Sequence, residues 1–289
     1  MEQKDDPLTL LNKPSYKTMV LKLKAPFLNT LCLPCCYTEQ AQAKLYKWIP
    51  HVKGNSLDGQ SGKRVLKIKE NSSCIERCML PASCRGYKNQ FKAENTGKVI
   101  IHMDRQCKAS FLCLARPSAS VYMLKTSKTR LPQYRSEGME PVHTLSELNE
   151  QSSPGKSKFQ KVLVTEEKVP IGRVELPYSF GQIKAIIYDE QNIPILQIQG
   201  SKAQLQLCLF TSCVGPCRTS EFVIGDYSTN MVEAKGYIYK TWSNFYKVCC
   251  SSAPWYIIDF PDECDWRRKI LITAAIQLID QHYFSGWCQ

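Results

Sequence analysis

The sequence predicts a mainly β fold with one apolar α-helix near the C-terminus, and two observations lead to this prediction. From Tyr46 onward, short runs of β-branched and aromatic residues alternate with turn residues, which is typical of antiparallel strands joined by short connections. Residues 266–284 instead run without proline or glycine and carry an uninterrupted apolar stretch. Alternating βαβ units do not occur, so a doubly wound parallel sheet is not expected.

Turn signals divide the β region into hairpins. Asn95, Thr96 and Gly97 separate a run that ends near Ala93 from the next strand, and Gly and Asn accept the positive φ that tight turns require. A second polar turn at residues 189–192 separates two apolar runs. Strands are expected at residues 65–68, 99–102, 162–164, 169–176, 183–188, 193–198, 222–224 and 237–239, with a further turn at 166–168. Together these signals predict an antiparallel meander.

The apolar segment at residues 266–284 reads as a helix with clear ends. Asp262, Glu263 and Asp265 lie near its start, where acidic side chains suit the helix dipole, and Gly286 follows its end. Residues 270–276 are apolar on every side of a helix, so this helix must be buried in protein or in lipid. Because a bilayer-spanning helix needs about 20 apolar residues, we expect burial inside a closed sheet.

Two segments depart from the β pattern. Residues 1–45 hold several prolines and three cysteines, and they predict a loosely ordered basic arm. Residues 118–158 are rich in serine, lysine and proline, and they predict a disordered insertion. The expected organisation is therefore an arm at 1–45 followed by one domain at 46–289, interrupted by the insertion at 118–158.

The charge and the cysteine content of the chain indicate which binding partners and which cellular compartment to expect. The formal net charge is +12, which favours an acidic membrane surface or another polyanion, the alternative being an ordinary basic surface without such a role. Residues 1–6 are charged and lack an apolar signal core, so we expect an intracellular chain whose 15 cysteines are thiols. A base-reading helix or aromatic platform does not accompany the charge, so nucleic acid is not expected as a partner.

Sequence motifs give little support for bond-breaking chemistry. The chain has no P-loop, no dinucleotide-binding glycine pattern, no nucleophile elbow and no zinc-protease motif, so we assign no catalytic residues. Cys32-x-x-Cys35 has the spacing of one half of a zinc site, but no clear second half follows it. We therefore expect no zinc.

The C-terminal half resembles the phospholipid scramblase family. The clearest match is Gly236-x-Ile238-x-Lys240-x-Trp242, followed by Phe260-Pro261, an acidic step and the apolar helix. Residues 183–200 resemble a family strand pair that ends in Ile-x-Gly, and Val169-Pro170-Ile171-Gly172 resembles the family's Val-Pro-Val-Gly turn. The resemblance covers roughly residues 46–117 and 159–286.

Membership of this family would imply a fold and an activity. The implied fold is a tubby-like closed antiparallel β-barrel of about twelve strands around a buried C-terminal α-helix. The implied activity is ATP-independent movement of phospholipids between leaflets, by a protein held at the membrane through palmitoylated cysteines. Most of the family's cysteine run is missing here, which leaves Cys107 and Cys113 as candidates for acylation. Our own additional candidates are Cys32, Cys35 and Cys36 in the basic arm.

The resemblance also implies a calcium loop just before the helix. Ser252 and Pro254 stand where the family places its first acidic ligands, and Ile257 stands where a sharp turn requires glycine. Asp259, Asp262 and Glu263 are the acids that remain, as a degenerate calcium site or simply as caps of the helix. We therefore predict that calcium binding is lost or of millimolar strength or weaker.

Two functions are consistent with these observations. The first is a membrane-associated scramblase-like protein on the cytoplasmic face of the plasma membrane, peripheral or lipid-anchored, with acidic phospholipids as partners. The second is a non-catalytic lipid-binding or adaptor module that docks on acidic membranes and recruits protein partners. The net charge also allows a nuclear location.

Overall fold

The structure, a computed structural model, places twelve β-strands and two α-helices along the chain. It describes residues 6–24, 42–50, 59–72, 86–106, 117–130, 162–179, 181–201, 219–229, 231–241 and 255–284. The helices are α1 (Pro7–Asn12) and α2 (Trp266–Ile279), with a 3-10 turn at Pro14–Tyr16 and a π-helical turn at Asp280–Phe284. The strands are β1 (Thr18–Lys24), β2 (Gln42–Pro50), β3 (Gly59–Asn71), β4 (Tyr87–Ala93), β5 (Val99–Arg105), β6 (Ser118–Arg130), β7 (Val162–Glu175), β8 (Gln182–Tyr188), β9 (Pro194–Ser201), β10 (Thr219–Asp226), β11 (Gly236–Thr241) and β12 (Trp255–Asp259).

The strands form a closed barrel in which neighbours in sequence are neighbours in space. The order is β1-β12-β11-β10-β9-β8-β7-β6-β5-β4-β3-β2, and β1 pairs antiparallel with both β2 and β12. Closure removes the unpaired strand edges that an open sheet would expose. The predicted mainly β fold with a closed barrel is confirmed. One compact unit comprises Met1–Met123 with Pro170–Gln289, and Leu124–Val169 forms a second.

Helix α2 is buried, as its all-round apolar sequence predicts. Every residue from Lys269 to Ile279 is buried, and the aliphatic side chains of α2 belong to the same core as the inward residues of the strands. Among the residues described, no helix has both the length and the apolar character needed to cross a membrane.

Positive φ occurs where the turn signals require it. Gly97 has a φ of 66° between β4 and β5, and Asn192 has the same φ between β8 and β9. The carboxylate of Asp189 accepts hydrogen bonds from the backbone N–H groups of Gln191 (2.9 Å) and Ile193 (2.8 Å), which closes the second turn. Both hairpins therefore agree with the sequence prediction.

The predicted start of the barrel at residue 46 is wrong. Residues 6–24 form α1, a 3-10 turn and β1, and β2 begins at Gln42. Leu11 is fully buried, and the Lys269 ammonium of α2 donates hydrogen bonds to the backbone carbonyls of Leu11 (2.6 Å) and Tyr16 (3.1 Å). Apolar burial and these two bonds therefore order part of the expected loose arm. Residues 25–41 lie outside the described residues.

The expected insertion and turn also differ from the structure. Strand β6 occupies residues 118–130, because Ala119 and Val121 are buried while Ser120 faces solvent, and this alternation suits a strand with one polar face. Strand β7 runs through residues 166–168, where Glu167 and Lys168 are exposed rather than turning the chain. The remainder of the expected insertion, residues 131–158, lies outside the described residues.

Three glycines of the sequence motifs lie where a Cβ atom would collide with neighbouring backbone or ring atoms. A Cβ at Gly172 would lie 2.3 Å from the carbonyl oxygen of Tyr188, and one at Gly236 would lie 2.5 Å from that of Asp259. A Cβ at Gly200 would lie 2.4 Å from the ring of Phe222. These motif positions are therefore required by packing inside the barrel.

Candidate functional site

The two ends of the barrel differ, and they are named here by the course of α2. At the helix-entry end α2 begins, and β1 starts opposite the end of β12, with Thr18 paired to Asp259. At the helix-exit end α2 finishes, and the last residue of β1, Lys24, is paired to Gln42, the first of β2.

The three acids considered for calcium lie at the helix-entry end, and two of them have other partners. The carboxylate of Asp259 accepts a hydrogen bond from the Thr18 hydroxyl (3.1 Å), and Asp262 forms a 2.5 Å ion pair with Lys17. The bond to Asp262 raises the pKa of Lys17. Glu263 is exposed. The described residues contain no group of three or more His, Cys, Asp or Glu side chains able to hold a metal ion.

The N-terminus of α2 is capped by residues other than these three acids. The carboxylate of Asp265 accepts a hydrogen bond from the backbone N–H of Arg268 (3.0 Å). The side-chain oxygen of Asn12 accepts one from the N–H of Trp266 (2.8 Å), so the N-terminal segment shares in the cap.

A pocket of about 330 Å³ opens beside the start of α2. Its charged groups include an ion pair between Lys235 and Asp226 (2.5 Å). Burial raises the pKa of the Cys264 thiol to about 12, so this cysteine is protonated and is a poor nucleophile or metal ligand at neutral pH. The pocket is lined by Leu196, Asp226, Ala234, Lys235, Pro261, Asp262, Glu263, Cys264 and Arg268.

All five cysteines considered for acylation lie outside the described residues. Cys32, Cys35 and Cys36 fall between β1 and β2, and Cys107 and Cys113 fall between β5 and β6. The strand ends that flank them are described. The pairings of Lys24 with Gln42 and of Arg105 with Ala119 place both pairs of strand ends at the helix-exit end.

A cluster of polar side chains lies at the helix-exit end and was not found from the sequence. The Tyr256 hydroxyl donates a 2.5 Å hydrogen bond to the carboxylate of Asp280. Buried Lys240 comes from β11, and its ammonium lies 3.1 Å from the centre of the Phe284 ring. Burial raises the pKa of Asp280, against the opposing influences of Lys240 and Tyr256. We call Lys240, Tyr256 and Asp280 the exit cluster.

A second polar contact lies deeper along the helix. The side-chain amide of Asn89 on β4 donates a 3.0 Å hydrogen bond to the side-chain oxygen of Gln277, and both residues are buried. Just after β3, the hydroxyl of Ser72 donates a 2.6 Å hydrogen bond to the carboxylate of Glu70 on that strand, and both residues are buried. Polar groups thus enter the interior mainly from the half of the barrel that faces the helix-exit end.

The alternation of inward and outward side chains along β11 predicts that Lys240 points into the barrel. Gly236 and Ile238 precede it by four and two residues on β11, and all three are buried because alternate side chains of a strand share one face. The inward direction of Lys240 therefore follows from the period of two, whereas its meeting with Asp280 depends on packing that the sequence does not show.

One comparison with known proteins, a scan against family models, gave a match. Residues 147–286, the part of the chain that supplies β7 to β12 and α2, match the family model described as Scramblase. No curated protein and no solved structure showed a significant match. The match agrees with the order of the motifs and with the closed barrel around α2, and it supports membership of the chain in the phospholipid scramblase family.

Proposed function

We propose that this protein associates with membranes and moves phospholipids between leaflets without ATP. The observation that carries the proposal is the family match over residues 147–286, because a scramblase-like function in general follows from it. The same residues supply the exit cluster, where an ammonium, a phenol and a carboxyl group lie together at one end of the barrel.

We place the protein at the cytoplasmic face of the plasma membrane, held by acyl chains. The support is topological: the strand ends that flank the candidates Cys32, Cys35, Cys36, Cys107 and Cys113 lie at one end of the barrel. Acyl chains on both segments would attach that end to the bilayer, and two chains give stable anchoring where one gives only marginal binding.

The anchor is tested by replacing these five cysteines with serine. As a matched control, serine replaces five other cysteines whose flanking strand ends lie at the same end of the barrel, so that the two variants differ in which cysteines are lost and not in position; these are Cys74, Cys78, Cys84, Cys249 and Cys250. The first variant should lose thioester-linked acyl label and leave the membrane fraction in high salt, whereas the control should keep both. Equal retention of label in the two variants would contradict the proposed anchor.

For calcium, we propose weak binding or none. Asp262 is paired with Lys17 and Asp259 with Thr18, so a cation that prefers six to eight oxygen ligands would have to displace existing partners. Scrambling by this protein should accordingly be insensitive to calcium.

The second candidate is a lipid-binding or adaptor module without transport activity. The observation that favours it is that α2 and the inward strand residues form one continuous core inside the barrel. Such a module would act through its outer surface, by docking on acidic headgroups and recruiting other proteins.

Leaflet exchange in liposomes separates the two candidates. Purified protein is reconstituted with a fluorescent phospholipid, and a membrane-impermeant reductant then bleaches the outer leaflet. A scramblase should extend bleaching from about half of the label towards all of it, in the presence or absence of calcium. Exchange no faster than in empty vesicles, with the protein still bound, would remove the transport activity and leave the adaptor function.

A further inference from the structure

The strand register lines up one lysine from each of four consecutive strands. Lys22 on β1 is paired with Lys44 on β2, Lys44 with Lys67 on β3, and Lys67 with Lys92 on β4. We call these four residues the lysine row. Their neighbours along the strands are core residues, so the row lies on the outer face of the barrel; those neighbours are Leu21, Leu23, Ala43, Leu45, Leu66, Ile68, Phe91 and Ala93.

This alignment brings four positive charges close together on one face of the barrel. Neighbouring strands lie about 4.8 Å apart, and like charges directly opposite each other on a sheet destabilise it. At physiological salt the Debye length is about 8 Å, so adjacent members of the row are only partly screened from one another. The pairings Lys22–Lys44, Lys44–Lys67 and Lys67–Lys92 therefore concentrate positive charge along one line of the outer face, which a layer of anionic headgroups would complement.

Aromatic side chains continue the row on the side of β12. Trp255 is the register partner of Lys22, whose ammonium lies 3.6 Å from the centre of the Trp255 ring and 5.1 Å from that of Tyr46. Next to them, Val20, Trp48 and Ile257 form a small apolar cluster outside the main core, against which Trp255 packs. Tryptophan and tyrosine beside lysine are the residues that favour the boundary between hydrocarbon and headgroups.

Further charges on this face are mainly positive towards the helix-exit end. Lys69 lies two residues beyond Lys67 along β3, and Lys88 lies four residues from Lys92 along β4, both in the direction of that end. The register partner of Lys88 on β5 is Asp104, and Arg64, towards the helix-entry end, is ion-paired with Glu94. The basic face thus extends towards the strand ends that flank the acylation candidates.

We propose that the lysine row, with Tyr46 and Trp255, is a docking surface for an anionic phospholipid bilayer. The proposal rests on the proposed function in assuming a membrane partner, and it names the face that meets the membrane. The contacts favour a lipid surface over nucleic acid, because Lys22 already covers a face of Trp255 on which a base would stack.

The test is sedimentation of the full-length protein, made without acylation, with vesicles of phosphatidylcholine alone or mixed with phosphatidylserine. The row variant carries Lys22→Gln, Lys44→Gln, Lys67→Gln and Lys92→Gln. A matched variant also loses four positive charges, but at lysines outside the row, through Lys63→Gln, Lys98→Gln, Lys125→Gln and Lys184→Gln. Because each lysine near an acidic leaflet contributes to binding, the row variant should lose roughly a hundredfold or more in partition coefficient. The matched variant should lose under tenfold.

Thermal unfolding supplies a second readout. Since the four side chains lie on the outer face, the row variant should melt within a few degrees of the wild type, the main loss being the contact of Lys22 with Trp255. Loss of binding by a variant that melts normally then reports on the surface itself.

Three outcomes would overturn the docking surface. The first is an equal loss of vesicle binding in the row and matched variants. The second is equal binding of the wild type to vesicles with and without phosphatidylserine. The third is row-dependent binding that is stronger to a single-stranded RNA than to the acidic vesicles. Leaflet exchange measured in parallel separates this proposal from the proposed function. A row variant that binds normally while the wild type scrambles lipid removes only the docking surface, and row-dependent binding without exchange removes only the transport.

Discussion

Replacement of Ala275 by aspartate should remove a large part of the stability of the barrel. Ala275 is fully buried in α2, and the side chains one helical turn away on either side are aliphatic, namely Leu271, Ile272, Leu278 and Ile279. The nearest polar residues, Thr273 and Gln277, are two positions away, so they do not face residue 275 on a helix. A carboxylate at 275 would therefore be surrounded by apolar groups.

The expected cost follows from that environment. An uncompensated buried charge destabilises a protein by about 3–5 kcal/mol, and native proteins unfold at a cost of roughly 5–15 kcal/mol in total. The variant should consequently unfold in much less urea than the wild type, or fail to fold. The deficit should shrink at low pH, where the introduced carboxyl group takes up a proton and loses its charge.

Urea unfolding followed by circular dichroism and tryptophan fluorescence measures this loss. The control is Val232→Asp, which introduces the same group at a site that is 82% exposed and should change stability by no more than about 0.5 kcal/mol. If Ala275→Asp unfolded at the same urea concentration as Val232→Asp, the helix could not be enclosed as the structure places it.

Four further predictions concern other parts of the molecule. Gly172→Ala should cost about 1–3 kcal/mol in thermal unfolding, because its Cβ would meet the Tyr188 carbonyl oxygen, and unchanged stability would contradict that contact. Leu11→Ala should cost about 2–5 kcal/mol in urea, since Leu11 is fully buried, whereas an unordered arm would show no loss. Asp280→Asn supplies a reference that does not titrate at this position. Relative to that variant, the free energy of unfolding of the wild type should fall as pH rises from 3.8 towards the raised folded-state pKa of Asp280, because the carboxyl group keeps its proton to higher pH in the folded state. A difference between the two urea titrations that does not change with pH would refute this. Calorimetry should detect calcium binding no tighter than millimolar, and a low micromolar constant abolished by Glu263→Gln would overturn the prediction.

Local signals account for the parts of the fold that the sequence predicted correctly. The turns at Gly97 and Asn192 depend on single residues with positive φ, and the enclosure of α2 depends on an apolar run too short for a bilayer. The N-terminal segment is more ordered than its prolines predict. Pro7 and Pro14 instead stand at the first positions of α1 and the 3-10 turn, where proline is favourable.

Register explains why the exit cluster and the lysine row could not be found in advance. Tyr256 and Asp280 are polar residues in otherwise apolar runs, and nothing local shows that they bond each other. The lysine row likewise depends on which residue of each strand faces which residue of the next. A shift of one residue in a single pairing would turn one lysine away from the others.

The glycines that carry the family resemblance and the lysines of the row respond to opposite requirements. Gly172, Gly200 and Gly236 stand where a Cβ would collide with backbone or ring atoms, so the barrel itself requires them whatever the protein does. The lysine row lies on the outer face of the barrel, where packing of the core does not require lysine. Fold alone does not specify function, so residues that the fold does not need are the better guide to it. Glycine substitutions should therefore lower stability and reduce membrane binding only through unfolding. Substitution of the row should reduce membrane binding while stability is largely kept, and this divergence separates a functional surface from a structural motif.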